Sequence, residues 1–148
     1  MQTLAGYLPR LIKADGTFVL PAGDGRTAWV DTRDIASVAA TVLTQHGHDG
    51  AIYPVTGPEA LSMRDLAGIL STVLGRPITY QDASPEQARR SMQQQNLQGM
   101  ADFLTEHYQA VKRGGFEQVS DTVKRVGGSE ARTFATFATE NKNIWLTS

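Results

Sequence analysis

The sequence predicts an α/β fold with a small mixed sheet, flanking helices and a helical C-terminal region. Short segments rich in β-branched and aromatic residues alternate with segments whose apolar residues recur at helical spacing. No internal repeat, low-complexity tract or linker divides the 148 residues. We therefore expect one domain, residues 1–148.

The first part of the chain predicts an interrupted helix and two strands. Residues 2–13 carry apolar side chains at helical spacing around Pro9, which should kink or divide the helix. Extended segments at 17–20 and 27–31 are separated by a loop at 21–26. Two strands around such a loop favour a β-hairpin or a β-arch.

The rest of the chain predicts further helices separated by short strands. Apolar residues recur at i, i+3, i+4, i+7 and i+8 from Ile35 and again from Leu66. Further extended segments are expected at 51–55 and 78–80. Later helical segments are expected up to about residue 95, then at 97–114, 119–126 and 131–139.

Capping residues mark where several of these helices begin and end. Asp31 or Thr32 can cap the helix that follows residue 31, and Ser62 opens the next one. Gly75 should end that helix in a left-handed conformation. Ser84 precedes Pro-Glu-Gln, which is the pattern of a capping box with proline in the first turn.

Composition excludes several kinds of function. Fourteen Lys and Arg against 15 Asp and Glu give a net charge of −1, so we expect no nucleic-acid partner and no basic membrane patch. The absence of cysteine excludes disulfides, thiolate metal sites and a cysteine nucleophile. There is neither a signal-peptide pattern nor an apolar run of membrane-spanning length, and we expect a cytoplasmic protein.

Two patterns resemble binding motifs without their usual context. Residues 23–28 read G-x-G-x-x-A, but a proline precedes them and an extended segment follows. A phosphate-binding loop needs a strand before it and a helix after it, so we expect a turn. His46 and His48 lie beside Asp49, but no third ligand follows at a useful spacing, so we expect no metal site.

Charged and aromatic residues near the expected strand ends are candidates for a site. Asp31, Arg33 and Asp34 lie where a strand passes into a helix; they could contact a ligand, or the acids could serve as helix caps. His107, beside Tyr108, could donate a proton or could pack in the core.

Five stretches occur in an order and spacing that carry a family resemblance. They are DGTF at 15–18, PAGDG at 21–25, WVDTRDIA at 29–36, YPVTGPEALS at 53–62 and LGRPITY at 74–80. Together they resemble the C-terminal half of NmrA-like proteins, which are atypical short-chain dehydrogenases/reductases. The stretch after Gly128 is less typical of that family.

The resemblance implies a partial Rossmann-like fold and an oxidoreductase lineage. Family members are about twice this size, bind NAD(P)H in their first half, and reduce quinones and related acceptors or sense dinucleotides. This chain would be the substrate-binding C-terminal region without the glycine-rich βαβ unit, so it should bind no NAD(P)H alone. It would be a fragment, a truncated relative, or a chain completed by a missing N-terminal half or by a second copy as a homo-oligomer.

The pocket that this interpretation predicts binds a small molecule. Its candidate substrate-binding residues are Tyr7, Trp29, Arg33, Tyr53, Thr56 and Tyr108. Its candidate catalytic residues are Asp31, Asp34 and His107. The alternative function is a cofactor-independent binding or assembly module, or a small acid–base enzyme acting on a polyketide-like or quinone-like ligand.

Overall fold

Helices and two small sheets form a mixed α/β structure in the computed structural model, which describes residues 1–146. Within that range there are eight helices and four short strands. In chain order they are α1 (Gln2–Leu11), β1 (Thr17–Leu20), β2 (Arg26–Thr27), α2 (Thr32–Thr44), β3 (Leu61–Ser62), α3 (Met63–Leu74), β4 (Thr79–Asp82), α4 (Pro85–Gln94), α5 (Gln98–Arg113), α6 (Thr122–Arg125), α7 (Phe134–Glu140) and α8 (Lys142–Leu146). No helix in the described range is long and apolar enough to cross a membrane.

The strands pair with distant partners rather than with their chain neighbours. β1 lies parallel to β4, with Thr17 opposite Thr79, whereas β2 runs antiparallel to β3, with Arg26 opposite Ser62. The hairpin alternative is therefore wrong. The loop at 21–25 joins strands of two different sheets, as a β-arch does.

Local capping signals are confirmed at the helix ends. The Asp31 carboxylate accepts the backbone N–H of Arg33 and caps α2. Ser62 and Ser84 each form a capping box, with Asp65 and Gln87 respectively. Gly75 ends α3 in the left-handed region, with φ of 69°. Each signal depends only on residues within one helical turn, which is why the sequence reveals it.

The core lies between the parallel strand pair and the helices α1, α3, α5, α7 and α8. Phe18 on β1 contacts Tyr80 on β4, with ring centroids 5.5 Å apart. Phe134, Phe137 and Trp145 are buried against one another in the C-terminal helices. Because α7 packs on α3 and α8 on α1, the end of the chain closes the core built by its beginning.

Pro9 does not divide the first helix. It lies in the last turn of α1, and the helix ends two residues later. Since Pro9 lacks an N–H, α1 loses one hydrogen bond there, but the buried leucines Leu4, Leu8 and Leu11 hold that face in the core.

The strand expected at 51–55 is not formed, and one helix face is left uncovered. Residues 51–55 pair with no other strand in the described part of the chain. Ile35 and Leu43 on α2 are 41% and 84% exposed, and Ile52 is 92% exposed. A strand needs a neighbour to take its N–H and C=O groups, and residues 1–146 provide no strand beside this segment.

Three further boundaries differ from the expectation. The strand expected at 27–31 is reduced to β2, and the last two helical segments are reduced to α6 and α7. Residues 28–30 form no ladder: the backbone of Ala28 bonds to Phe116 and Gly57, and the N–H of Trp29 donates to the carbonyl of Thr27.

Candidate functional site

Three segments meet at one place, which we call the strand-end region: residues 27–31, which begin in β2, residues 54–57, at the end of a stretch expected to be extended, and residues 114–121, which follow α5. The backbone N–H of Gly57 donates to the carbonyl of Ala28 at 3.3 Å, and Ala28 donates to the carbonyl of Phe116 at 2.9 Å. A Cβ at Gly57 would lie 1.8 Å from the carbonyl oxygen of Trp29. Only glycine permits this close backbone approach.

Thr56 fixes the loop 114–121 in this region. Its hydroxyl donates to the carbonyl of Gly57 at 3.0 Å and accepts the backbone N–H of Ser120 at 2.8 Å. The Ser120 hydroxyl donates to the carbonyl of Pro54 at 2.6 Å. That Thr56 orients a ligand stays a prediction; in the structure its hydroxyl bonds to Gly57 and to Ser120 of the loop.

Three aromatic side chains beside this loop form what we call the ring cluster: Phe103, His107 and Phe116. The imidazole lies nearly parallel to the Phe103 ring, at 6.1 Å between centroids, and edge-to-face with the Phe116 ring, at 5.7 Å. Phe103 is 66% exposed and Phe116 is 40% exposed, whereas His107 is half-buried. Burial lowers the pKa of His107, which favours the neutral imidazole.

A buried tyrosine pair lies beneath the ring cluster. Tyr108 contacts His107 edge-to-face at 5.1 Å, and its hydroxyl is hydrogen-bonded to the hydroxyl of Tyr7. Burial raises the pKa of Tyr7 to about 12, although its bond to Tyr108 opposes that rise. Burial also raises the pKa of Tyr108. The structure thus brings Tyr7, His107 and Tyr108 together, with both tyrosines inside the core.

Asp31 and Arg33 lie at the start of α2 in an ionic network. Arg33 holds the buried Asp31 carboxylate with two hydrogen bonds, of 3.1 Å from Nε and 2.7 Å from Nη2. Its Nη2 also donates to Glu140 at 2.6 Å, and Gln2 Nε2 donates to Asp31 at 2.8 Å. Although burial alone would raise it, the hydrogen bonds from Arg33 and Gln2 hold the pKa of Asp31 well below its usual value.

A groove of about 540 Å³ adjoins this network. It is lined by Gln2, Ala5, Gly6, Arg33, Phe137, Glu140, Asn141 and Ile144. Of the residues predicted to bind substrate, Arg33 is the one that lines it. The groove therefore offers a guanidinium and a carboxylate between apolar walls.

Asp34 and Tyr53 occupy two other places. The Asp34 carboxylate is buried and accepts hydrogen bonds from the backbone N–H of Arg132, at 2.8 Å, and from the Arg132 side chain. Tyr53 bonds to His48 Nδ1 at 2.8 Å in the segment after α2. The hydrogen bonds of Asp31 and Asp34 go to arginine and glutamine partners rather than to His107. Among residues 1–146, no three His, Asp or Glu side chains are placed to share a metal ion.

The glycines of the G-x-G-x-x-A string lie in the turn between β1 and β2, as the sequence indicates, and Arg26 and Thr27 of the string form β2. The backbone N–H of Gly23 donates to the Asp82 carboxylate at 2.9 Å. A Cβ at Gly25 would lie 2.4 Å from the carbonyl oxygen of Val111. These glycines serve close packing against α5.

The chain matches known reductases over half of their length. No protein-family model matches it. The NAD(P)H azoreductase of Xenophilus azovorans is 42% identical over 139 residues, which cover 93% of this chain and 48% of that protein. The chain is a partial relative of the NmrA-like NAD(P)H reductases. It corresponds to their C-terminal half.

Further relatives and solved structures agree with this assignment. Quinone oxidoreductase 2 of Escherichia coli is 31% identical over 121 residues, covering 81% of this chain and 42% of that protein. The crystal structure of that NADPH-dependent enzyme type superimposes with a TM-score of 0.84 at 28% identity, over 94% of this chain and 50% of that one. The crystal structure of Citrobacter triphenylmethane reductase with NADP(H) superimposes with a TM-score of 0.81 at 26% identity. The match covers 92% of this chain and 47% of that one. The chain spans about half the length of each relative, and the predicted family and fold class are confirmed.

Sequence reasoning missed Phe116 and Ser120 as members of the strand-end region and Phe103 as a member of the ring cluster. The i, i+4 spacing of Phe103 and His107 on one helix was available as a signal. Phe116 and Ser120 gave none, because their partners lie 64 to 88 positions earlier in the chain.

Proposed function

We propose that residues 1–148 form the acceptor-binding domain of an NAD(P)H-dependent reductase of quinone-like or carbonyl compounds. The observation that carries this proposal is the strand-end region, in a chain 42% identical to half of an NAD(P)H azoreductase. Ligands of open α/β folds bind at the ends of strands, where loops from several segments meet. The relatives named above act on quinones, azo compounds or triphenylmethane dyes.

The nicotinamide would be held by another part of the assembled reductase. NAD(P)H supplies the hydride, and protein around it must hold the ring against the acceptor. The packing of Gly23 and Gly25 against α5, and the hydrogen bond from Gly23 to Asp82, support the view that the glycine string is not a phosphate-binding loop. We propose that the chain alone binds no NAD(P)H.

The predicted site residues then divide by position. Trp29 and His107 would contact the acceptor at the strand-end region, while Tyr7 and Tyr108 would support His107 from beneath. Arg33 would orient an acidic or carbonyl group in the adjoining groove. Asp31, Asp34 and Thr56 would hold the segments in place, and Tyr53 would act at the margin of the site.

A protein partner would cover the exposed face of α2. Ile35 and Leu43 are exposed apolar residues of α2, and Ile52 is an exposed apolar residue of segment 51–55, which pairs with no other strand among residues 1–146. We propose that a dinucleotide-binding half packs there and adds a strand along 51–55. The apolar face of α2 needs a packing partner, and the unpaired segment 51–55 needs a neighbouring strand. A second copy of this chain is the alternative, and mass measurement in solution separates the two.

We place the protein in the cytoplasm, in keeping with its lack of cysteine.

The test compares the chain alone with a fusion of the N-terminal half of the Xenophilus azovorans azoreductase to residues 1–148. The fusion should bind NADPH and oxidise it when an acceptor is added, whereas the chain alone should do neither. Leu43→Lys in the fusion should reduce the rate by disturbing the packed face; Lys13→Ala, at an exposed residue elsewhere, is the control. Saturable NADPH binding by the chain alone, or a folded but inactive fusion, would count against the proposal.

A further inference from the structure

We propose that the ring cluster is a stacking subsite for a second ring of an extended, flat aromatic acceptor. This deepens the proposed function, on which it rests, because it names residues that select acceptors by their planar extent. Phe103 and Phe116 of the cluster are exposed, and the cluster includes part of the loop that Ala28 and Thr56 anchor.

The geometry of the rings supports stacking of a planar ligand. Phe103 and His107 are nearly parallel, with an interplanar angle of 10°, so they present a common orientation to an incoming ring. Phe116 stands edge-on to the imidazole at 73° and forms a wall. A flat ligand could lie against the parallel rings with its edge toward Phe116, which are the two arrangements that aromatic pairs prefer.

Contacts with the core and with the strand-end region hold the ring cluster in place. Its imidazole contacts three rings, including that of the fully buried Tyr108. Phe116 is fixed through its carbonyl, which accepts the N–H of Ala28 next to Trp29. A platform held by the core and by the strand-end region loses little conformational entropy when a ligand binds.

The size of the exposed surface favours a small molecule over a protein. Phe103 and Phe116 are 66% and 40% exposed, which leaves on the order of 200 Å² of ring surface open. A stable protein contact buries about 800 Å² on each partner. The neutral imidazole adds no charge, so an uncharged conjugated ring suits the surface.

The experiment measures ligand binding to the 148-residue chain without NADPH or a partner. The probe is anthraquinone-2-sulfonate, and the control ligand is benzenesulfonate, which carries the same charged group on a single ring. Isothermal titration calorimetry gives each Kd. Phe103→Leu removes an exposed ring while keeping an apolar side chain, Phe103→Tyr keeps the ring, and His46→Leu removes an exposed imidazole elsewhere.

We expect Phe103→Leu to weaken binding of the anthraquinone about 2- to 12-fold, since one aromatic pair contributes this much. Phe103→Tyr and His46→Leu should bind as the parent does, and benzenesulfonate should not respond to Phe103. Absence of anthraquinone binding at millimolar concentration, an unchanged Kd for Phe103→Leu, or equal losses for both ligands would overturn the subsite.

The subsite and the proposed reductase function can fail separately. Ring-dependent binding to the chain combined with an inactive azoreductase fusion refutes the function and supports the subsite. If the fusion is active and Phe103→Leu leaves its KM for the anthraquinone unchanged, the subsite alone is refuted. If Phe103→Leu weakens assembly of the fusion but leaves binding of the anthraquinone unchanged, the subsite is also refuted. The rings would then be part of a protein contact.

Discussion

The close backbone approach at Gly57 predicts a large stability loss for Gly57→Ala. The new Cβ would lie 1.8 Å from the carbonyl oxygen of Trp29, so the two backbone segments must separate by roughly 1 Å or more. Overpacking of this kind costs about 1–3 kcal/mol. Separation also breaks the Gly57 to Ala28 hydrogen bond, which adds about 1 kcal/mol. We expect a loss of about 2–4 kcal/mol in the free energy of unfolding.

Urea denaturation followed by circular dichroism measures this loss, with Gly68→Ala as the matched control. Gly68 is exposed within α3, and a Cβ there would meet nothing within 4 Å. Its replacement should stabilise the chain by about 0.5–1 kcal/mol through helix propensity. If Gly57→Ala unfolds at the same free energy as the parent, the contact between segments 27–31 and 54–57 is not as the structure places it.

Three further predictions concern buried polar groups and one helix cap. Tyr7→Phe or Tyr108→Phe should each cost about 1–3 kcal/mol by leaving a buried hydroxyl unpaired, and the double variant should cost less than their sum; urea denaturation of all three tests this coupling. Because the pKa of Asp31 is lower in the folded chain than in the unfolded one, its stabilisation is present above about pH 4 and lost as pH falls toward the folded pKa. Asp31→Asn should therefore flatten the acid side of a stability-against-pH curve, and an unchanged acid side would contradict this. Ser84→Ala should lower the thermal midpoint through a loss of about 1 kcal/mol, while Ser84→Asp should retain most of the cap; equal midpoints for the two variants would argue against the capping box.

The helices could be predicted from the sequence because their signals are local. Ser62, Gly75 and Ser84 each act within one turn of the helix that they begin or end. Strand pairing could not be predicted in the same way. Residues 17–20 look like half of a hairpin, but their hydrogen-bonding partner lies more than 60 positions later. Residues 51–55 have strand composition, but composition cannot provide a neighbouring strand.

For the candidate site, motif order and the ends of extended segments pointed to Trp29 and Thr56, which lie in the strand-end region; that they bind a ligand stays a prediction. The roles of Asp31 and Asp34 as ion-pair partners depend on side chains brought in by folding. Asp34 meets Arg132 from 98 positions away, which no spacing rule in the sequence reveals.

By itself, the sequence determined the α/β class, the capping residues of α2, α3 and α4, the nearly balanced charge and the relation to NmrA-like reductases. These depend on periodicity, on residues within a few positions of one another, and on the order of short motifs. The tertiary structure decided which strands pair, which carboxylates lie buried against arginine, and which aromatic rings remain open to solvent. Those outcomes depend on contacts between distant parts of the chain, whose geometry exists only once the core has packed.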